Sequence, residues 1–200
     1  MKNILFSGNV KVFDGMLTCM LSIFKRTKLK EPYNFYIFTM DVSHIKPDYI
    51  PVSDKQVEFL QQIARDYNPD NLVTKIDVTD IYMEEFDNCP NENAYCSPYT
   101  LLRLFADKIP EIPDKLLYLD VDILFNREPE LLYDVDVEGY EYAAARDHYG
   151  KYLLNPNYIN AGVLLFNMKE IRKTGLFEKA RHLIKTKKLL FADQDAVYRS

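Results

Sequence analysis

Apolar positions along the chain alternate between short continuous runs and stretches with helical spacing. Asn3-Ile4-Leu5-Phe6 is an apolar run that closes on Ser7-Gly8-Asn9, which predicts a buried strand followed by a tight turn. Phe13, Leu17, Met20, Leu21 and Phe24 then recur at the spacing of a helix that covers a sheet. Tyr33 to Thr39, rich in aromatic and β-branched residues, reads as a second strand. Val57, Leu60, Ile63 and Ala64 mark a second helix with Ser53 as its N-cap, and Leu72 to Val78 a third strand. This β-α-β-α-β rhythm predicts an α/β fold with a mainly parallel, Rossmann-like sheet flanked by helices.

The second half continues the pattern. A loop containing Asn88, Pro90 and Asn91 precedes a helix expected over about Tyr99 to Lys108, which Pro110 and Pro113 terminate. Leu116-Leu117-Tyr118-Leu119 is the next strand, and it delivers Asp120-Val121-Asp122 at its C-terminal end. Tyr142 to Ala145 and Ile159 to Phe166 are further strands, the latter interrupted by Ala161-Gly162, and from Met168 onward the spacing is helical. With no internal repeat or linker, residues 1–200 are expected to form one domain. The helical pattern still runs at Ser200, which suggests that the domain lacks its C-terminal segment.

Composition narrows the class. Hydrophobic residues make up 48% and charged residues 28% of the 200, a globular balance. The net charge of −5 provides no basic field for nucleic acid, and the local cluster Lys185-Thr186-Lys187-Lys188 is accounted for by a solvated helix end. Cys19, Cys89 and Cys96 form neither a CxxC pair nor a metal-finger spacing, which suggests a reducing compartment. No signal peptide is visible, and no apolar run reaches about 18 residues. A cytoplasmic location follows, with room for peripheral association at the inner face of a membrane.

The chemistry centres on Asp120 and Asp122. Residues i and i+2 of a strand share a face, so both carboxylates can converge on one cation at the strand end where ligands of open α/β sheets bind. A solvated strand end would also carry two acids, but the continuous apolar run before them argues for a buried strand. Hard divalent cations with oxygen ligands, Mg²⁺ or Mn²⁺, suit such a pair and leave positions for substrate phosphates. Asn160-Ala161-Gly162 places a polar residue and two small ones within a strand, fit for a ligand's close approach or for a β-bulge. Asp193-Gln194-Asp195 forms an acid–amide–acid cluster that would equally serve as a helix N-cap. Arg103 and Asp147 are candidates for the same cleft, or for ordinary surface pairing.

Taken together, Leu-Tyr-Leu-Asp-Val-Asp at 117–122, Asn-Ala-Gly-Val-Leu-Leu-Phe-Asn at 160–167 and Asp-Gln-Asp at 193–195 resemble the retaining glycosyltransferases of family 8, across nearly the whole chain. The likeness is strongest to bacterial galactosyl- and glucosyltransferases of lipopolysaccharide biosynthesis. The resemblance implies a GT-A fold and a hexosyltransferase that moves a hexose from a UDP-sugar to a glycan or lipid-linked acceptor with retention of configuration. It implies that Asp120 and Asp122 ligate Mn²⁺ or Mg²⁺ and that Ser7, Gly8 and Asn9 contact the uridine. The backbone of Val121 would lie against the ribose, and Arg103, Asp147, Asn160 and Ala161 near the donor sugar. Asp193 would hold sugar hydroxyls and Gln194 would lie beneath the anomeric carbon.

The chain departs from the family pattern in two places. Asn9 stands where an acidic residue is usual, and the aromatic that follows closely in the family is absent; Phe13 is the nearest substitute. The His-x-x-Gly-x-x-Lys segment that supplies a third metal ligand is missing, since none of His44, His148 and His182 sits in such a context. A nucleotide-sugar-binding module without turnover is therefore the alternative reading. A haloacid-dehalogenase-like phosphatase is a remote one, because its Asp-x-Asp would lie near the chain start.

Overall fold

A computed structural model describes residues 1–28, 30–92 and 97–200; Cys96 lies outside the described residues. Six strands, β1 (Lys2–Ser7), β2 (Tyr33–Thr39), β3 (Leu72–Asp77), β4 (Lys115–Leu119), β5 (Tyr142–Arg146) and β6 (Ile159–Asn167), form one sheet in the order β3-β2-β1-β4-β6-β5. β1, β2, β3 and β4 pair in parallel, whereas β6 runs antiparallel to both β4 and β5. The sheet is thus mixed, with a parallel half built by the expected crossovers.

Alternation along the strands sends side chains to two cores. Leu117 and Leu119 join Ile4, Phe6, Phe35 and Ile37 beneath α1 (Phe13–Arg26) and α2 (Asp54–Tyr67). Leu116 and Tyr118 join Leu164 and Phe166 on the other face, covered by α3 (Thr79–Phe86), by the 3₁₀ helix Pro98–Phe105, and by the C-terminal helices. Both faces being dry explains why these strands read as continuous apolar runs. Ser53 caps α2 as expected, in a full capping box with Gln56.

Three expectations are corrected. The helix expected at 99–108 is a 3₁₀ helix over Pro98–Phe105, and α3 is an additional helix before it. The C-terminal helical region is broken into α6 (Met168–Thr174), α7 (Leu176–Thr186) and α8 (Ala192–Arg199), after the short helices α4 (Glu130–Tyr133) and α5 (Gly150–Leu153). Gly175, at φ +70°, separates α6 from α7. Finally, β4 ends at Leu119, so Asp120 and Asp122 occupy the turn after the strand, where Ile123 N donates to Asp120 O at 3.3 Å. Their shared direction comes from a turn and not from the pleat. Among the described residues, no helix is long and apolar enough to cross a membrane.

Candidate active site

The C-terminal ends of β1 and β4 open onto a cleft of about 390 Å³ whose lining includes Ser7, Gly8, Asn9, Asp120, Val121 and Asp122. A separate cleft of about 480 Å³, lined by Phe24, Tyr33 and Tyr67, includes the residue that opens β2. That is the N-terminal end of the parallel strands, opposite the carboxyl end outside which ligands of open α/β sheets bind. The first cleft is therefore the candidate site.

The Asp turn is clamped by small residues on either side. A Cβ on Gly15, in the first turn of α1, would lie 2.6 Å from Val121 O, so the helix packs directly on the turn's backbone. A Cβ on Gly162 would lie 2.9 Å from Asp120 Oδ2. The Ala161-Gly162 interruption thus leaves room for a carboxylate. Asp120 N also donates to Gly162 O at 2.8 Å, tying the turn to β6.

Arg103 sits at the centre of the polar network, although it is only 1% exposed. Its Nη2 donates to Asp120 Oδ1 at 3.1 Å, its Nε lies 3.3 Å from Asp193 Oδ2, and its Nη1 donates to Ala161 O. The guanidinium lies 3.7 Å above the Tyr118 ring. Tyr118 donates its hydroxyl to Asp120 Oδ1 at 2.7 Å. Burial holds that phenol far above its ordinary pKa against the pull of Arg103, with Asp120 adding to the rise, so it remains a donor. Burial likewise raises the Asp193 carboxyl, opposed by Arg103 and reinforced by the negative charge of Asp120.

Gln194, partly exposed, accepts from Ala161 N at 3.0 Å through Oε1. Its position is set by Asp195, which is fully buried. Asp195 accepts from Tyr158 Oη at 2.7 Å, Leu190 N at 3.0 Å and Phe191 N at 3.2 Å. These bonds hold the turn into α8, where Ala192 takes φ +35°, a left-handed value that an L-residue keeps only when its surroundings enforce it. Asp193 is therefore not the N-cap; it lies inside α8, in its first turn, and faces Arg103. Asp147 Oδ1 accepts from Gly150 N at 2.6 Å and Tyr149 N at 3.0 Å, and these bonds lower its pKa. Asn160 Nδ2 reaches Asp147 Oδ2 at 3.4 Å.

Every sequence-predicted site residue thus falls either in the cleft lining or in one hydrogen-bonded cluster joined to it through Asp120. Phe13 is the exception among the suggested contacts: its ring packs on Phe59 at 5.9 Å. The aromatic walls come instead from Tyr49 and Tyr99, whose rings meet edge to face at 5.5 Å. Nothing in the local sequence marks Tyr49. Tyr118 was legible in principle, since it stands two residues before Asp120.

The residues fit a hard divalent cation. Asp120 Oδ2 and the Asp122 carboxylate make no hydrogen bond or ion pair among the described residues, and both acids line the cleft. Among the described residues, Ser7 Oγ, buried at the cleft wall, also lacks a hydrogen-bond partner, as expected of a site shaped for a polar ligand. Among the described residues, no third His, Cys, Asp or Glu lies close enough to complete a three-ligand set with this pair. Burial, with Asp122 nearby, pushes the Cys19 thiol up to about 12.

Comparison with known proteins places this geometry. A protein of Haemophilus influenzae described only as a glycosyltransferase is 28% identical over 188 residues, covering 89% of this chain and 52% of that protein. Glycosyltransferase GlyA of Streptococcus pneumoniae is 34% identical over 109 residues, 48% of this chain and 15% of GlyA. The chain thus spans about half, or less, of the length of these curated relatives. Among solved structures, galactosyltransferase LgtC with donor and acceptor sugar analogues superposes with a TM-score of 0.76 at 22% identity, over 98% of this chain and 69% of LgtC. The bifunctional glycosyltransferase WbbM gives 0.76 at 19% identity, over 99% of this chain and 37% of WbbM. These likenesses show a GT-A fold. Residues 3–199 match the model of glycosyl transferase family 8, and the chain belongs to that family.

Proposed function

We propose that this chain is the donor-binding catalytic domain of a metal-dependent, retaining hexosyltransferase that uses a UDP-sugar. The observation that carries the reading is the placement of Asp120, whose Oδ1 is tied to Arg103 and Tyr118 but whose Oδ2 is free of bonds among the described residues, and of the Asp122 carboxylate beside the unpartnered Ser7 hydroxyl in one cleft. Asp120 and Asp122 would hold Mn²⁺ or Mg²⁺, which when bound neutralises charge on a diphosphate leaving group. Two protein carboxylates leave further positions to phosphate oxygens and water.

The remaining roles belong to side chains. Ser7, Gly8 and Asn9 line the uridine end, with Tyr49 and Tyr99 as ring walls and the Val121 backbone against the ribose. Arg103 fixes Asp120 and Asp193 relative to one another and draws in the Ala161 carbonyl, so the sugar subsite is preorganised before ligand arrives. Asp147 and Asn160 supply hydrogen-bonding groups for sugar hydroxyls. Gln194 Oε1, which accepts from Ala161 N, would face the anomeric carbon. In the transfer the bond from C1 to the diphosphate oxygen is broken and a bond from C1 to the acceptor oxygen is formed on the same face of the sugar. The acceptor's hydroxyl proton passes to a leaving-group oxygen. The acceptor is a glycan or a lipid-linked glycan of the cell envelope, reached from the cytoplasmic side.

Isothermal titration of the chain with UDP, with and without Mn²⁺, tests this directly. Mn²⁺-dependent binding that disappears in Asp120→Asn supports the proposal, and binding unchanged by that substitution overturns it. Release of UDP from UDP-glucose or UDP-galactose, set beside phosphate release from simple esters, separates transfer from binding alone and from phosphatase activity.

A further inference from the structure

We infer that His44, Asp87 and Glu92 form a second divalent-cation site, of the imidazole-and-carboxylate kind suited to Zn²⁺, separate from Asp120 and Asp122. One ligand atom from each of the three lies within 4.8 Å of the others. They come from two distant stretches of chain: His44 from the loop after β2, and Asp87 and Glu92 from the turn that follows α3. None of the three lines the donor cleft.

Glu92 makes the cluster more than a chance grouping. It is 7% exposed, yet no Lys or Arg pairs with it among the described residues. Among the described residues its Oε1 receives two long hydrogen bonds, from Tyr82 Oη at 3.5 Å and Asn88 N at 3.4 Å, and Oε2 receives none. A carboxylate on so buried a residue, with no basic side chain paired to it, favours a cation beside it. Asp87 takes a hydrogen bond from Asn88 Nδ2 on Oδ2 at 2.8 Å, which leaves Oδ1 toward His44, whose Nε2 is 3.9 Å away.

The donor set selects the ion. Zn²⁺ accepts nitrogen and carboxylate oxygen at roughly 2.0–2.2 Å, which puts tetrahedral ligands about 3.4 Å apart. His44 and Asp87 are 50% and 35% exposed at their side chains, so both are free to close the remaining distance onto the fixed Glu92. Three protein ligands leave a fourth position for water. Mg²⁺, which demands octahedral oxygen coordination, is disfavoured here. A bound ion would brace the loop after β2, and with it Tyr49, which stands on the donor cleft against Tyr99.

The inference does not depend on the donor reading, and its test removes the Asp pair first. Equilibrium dialysis against Zn²⁺, with metal counted by mass spectrometry, would use the Asp120→Asn/Asp122→Asn chain. One equivalent of Zn²⁺ should remain bound. Adding His44→Ala, an exposed change that leaves the fold intact by circular dichroism, should weaken binding at least tenfold, and Glu92→Gln should do the same. His182→Ala serves as the control and should change nothing. Absence of bound Zn²⁺ in the double variant, or binding that survives both His44→Ala and Glu92→Gln, would overturn the inference.

Discussion

Arg103→Met should unfold this domain more readily than most single substitutions, and a second substitution should partly repair it. Arg103 is 1% exposed and Asp193 is 4% exposed, so the ion pair between them at 3.3 Å has almost no access to water. Removing the cation strands a buried carboxylate and leaves Ala161 O and Thr100 O without their guanidinium donors. Breaking a buried pair from one side costs about 3–5 kcal/mol. Against a total stability of about 5–15 kcal/mol, that is a large share. With a urea dependence of about 2 kcal/mol/M, the midpoint should fall by about 2 M. Far-UV circular dichroism is the suitable probe, since the chain has no tryptophan. Adding Asp193→Asn removes the stranded charge and should restore part of the loss. A midpoint shift under about 0.5 M for Arg103→Met, or a double variant less stable than the single one, would refute the buried-pair account.

Other expectations follow from single contacts. Gly162→Ala sets a methyl 2.9 Å from Asp120 Oδ2, so UDP binding in Mn²⁺ should weaken by calorimetry, and unchanged affinity would show that Asp120 does not hold the cation. Tyr49→Ala removes a ring from the cleft wall; if it stacks on uracil, the loss should be about 1–3 kcal/mol of UDP affinity, with little change in thermal stability. Ser53→Ala deletes half of the capping box of α2 and should cost about 1 kcal/mol in urea unfolding without touching ligand binding. The pH profile carries a sign as well. The native Asp193 carboxyl is raised, so its contribution to stability is complete below the free-chain value of about 3.9 and declines as pH rises through the native value. Asp193→Asn should flatten that decline, and an unchanged profile would assign it to another group.

Much of the parallel half was legible because its information is local. Strands β1 to β3 and helices α1 and α2 announce themselves through runs, helical spacing and the Ser53 cap. The Asp pair stood out because a continuous apolar run led into it. The 3₁₀ helix was harder, since Pro98-Tyr99-Thr100-Leu101 satisfies helical spacing and only the fold-back of Arg103 onto Thr100 O and β6 tightens it.

The sequence by itself determined the alternation of elements, the order of the three motifs and the acidic pair at a strand end, because each is a property of neighbouring residues. Only the tertiary structure decided the antiparallel course of β6, the turn that aims Asp120 and Asp122, and the ring wall of Tyr49 and Tyr99. It also decided that Arg103 is a buried tie between Asp120 and Asp193, where the sequence allowed a surface pair. The reason is range. Those features join residues tens of positions apart, and a charge's partner is set by which groups share the same water-free space.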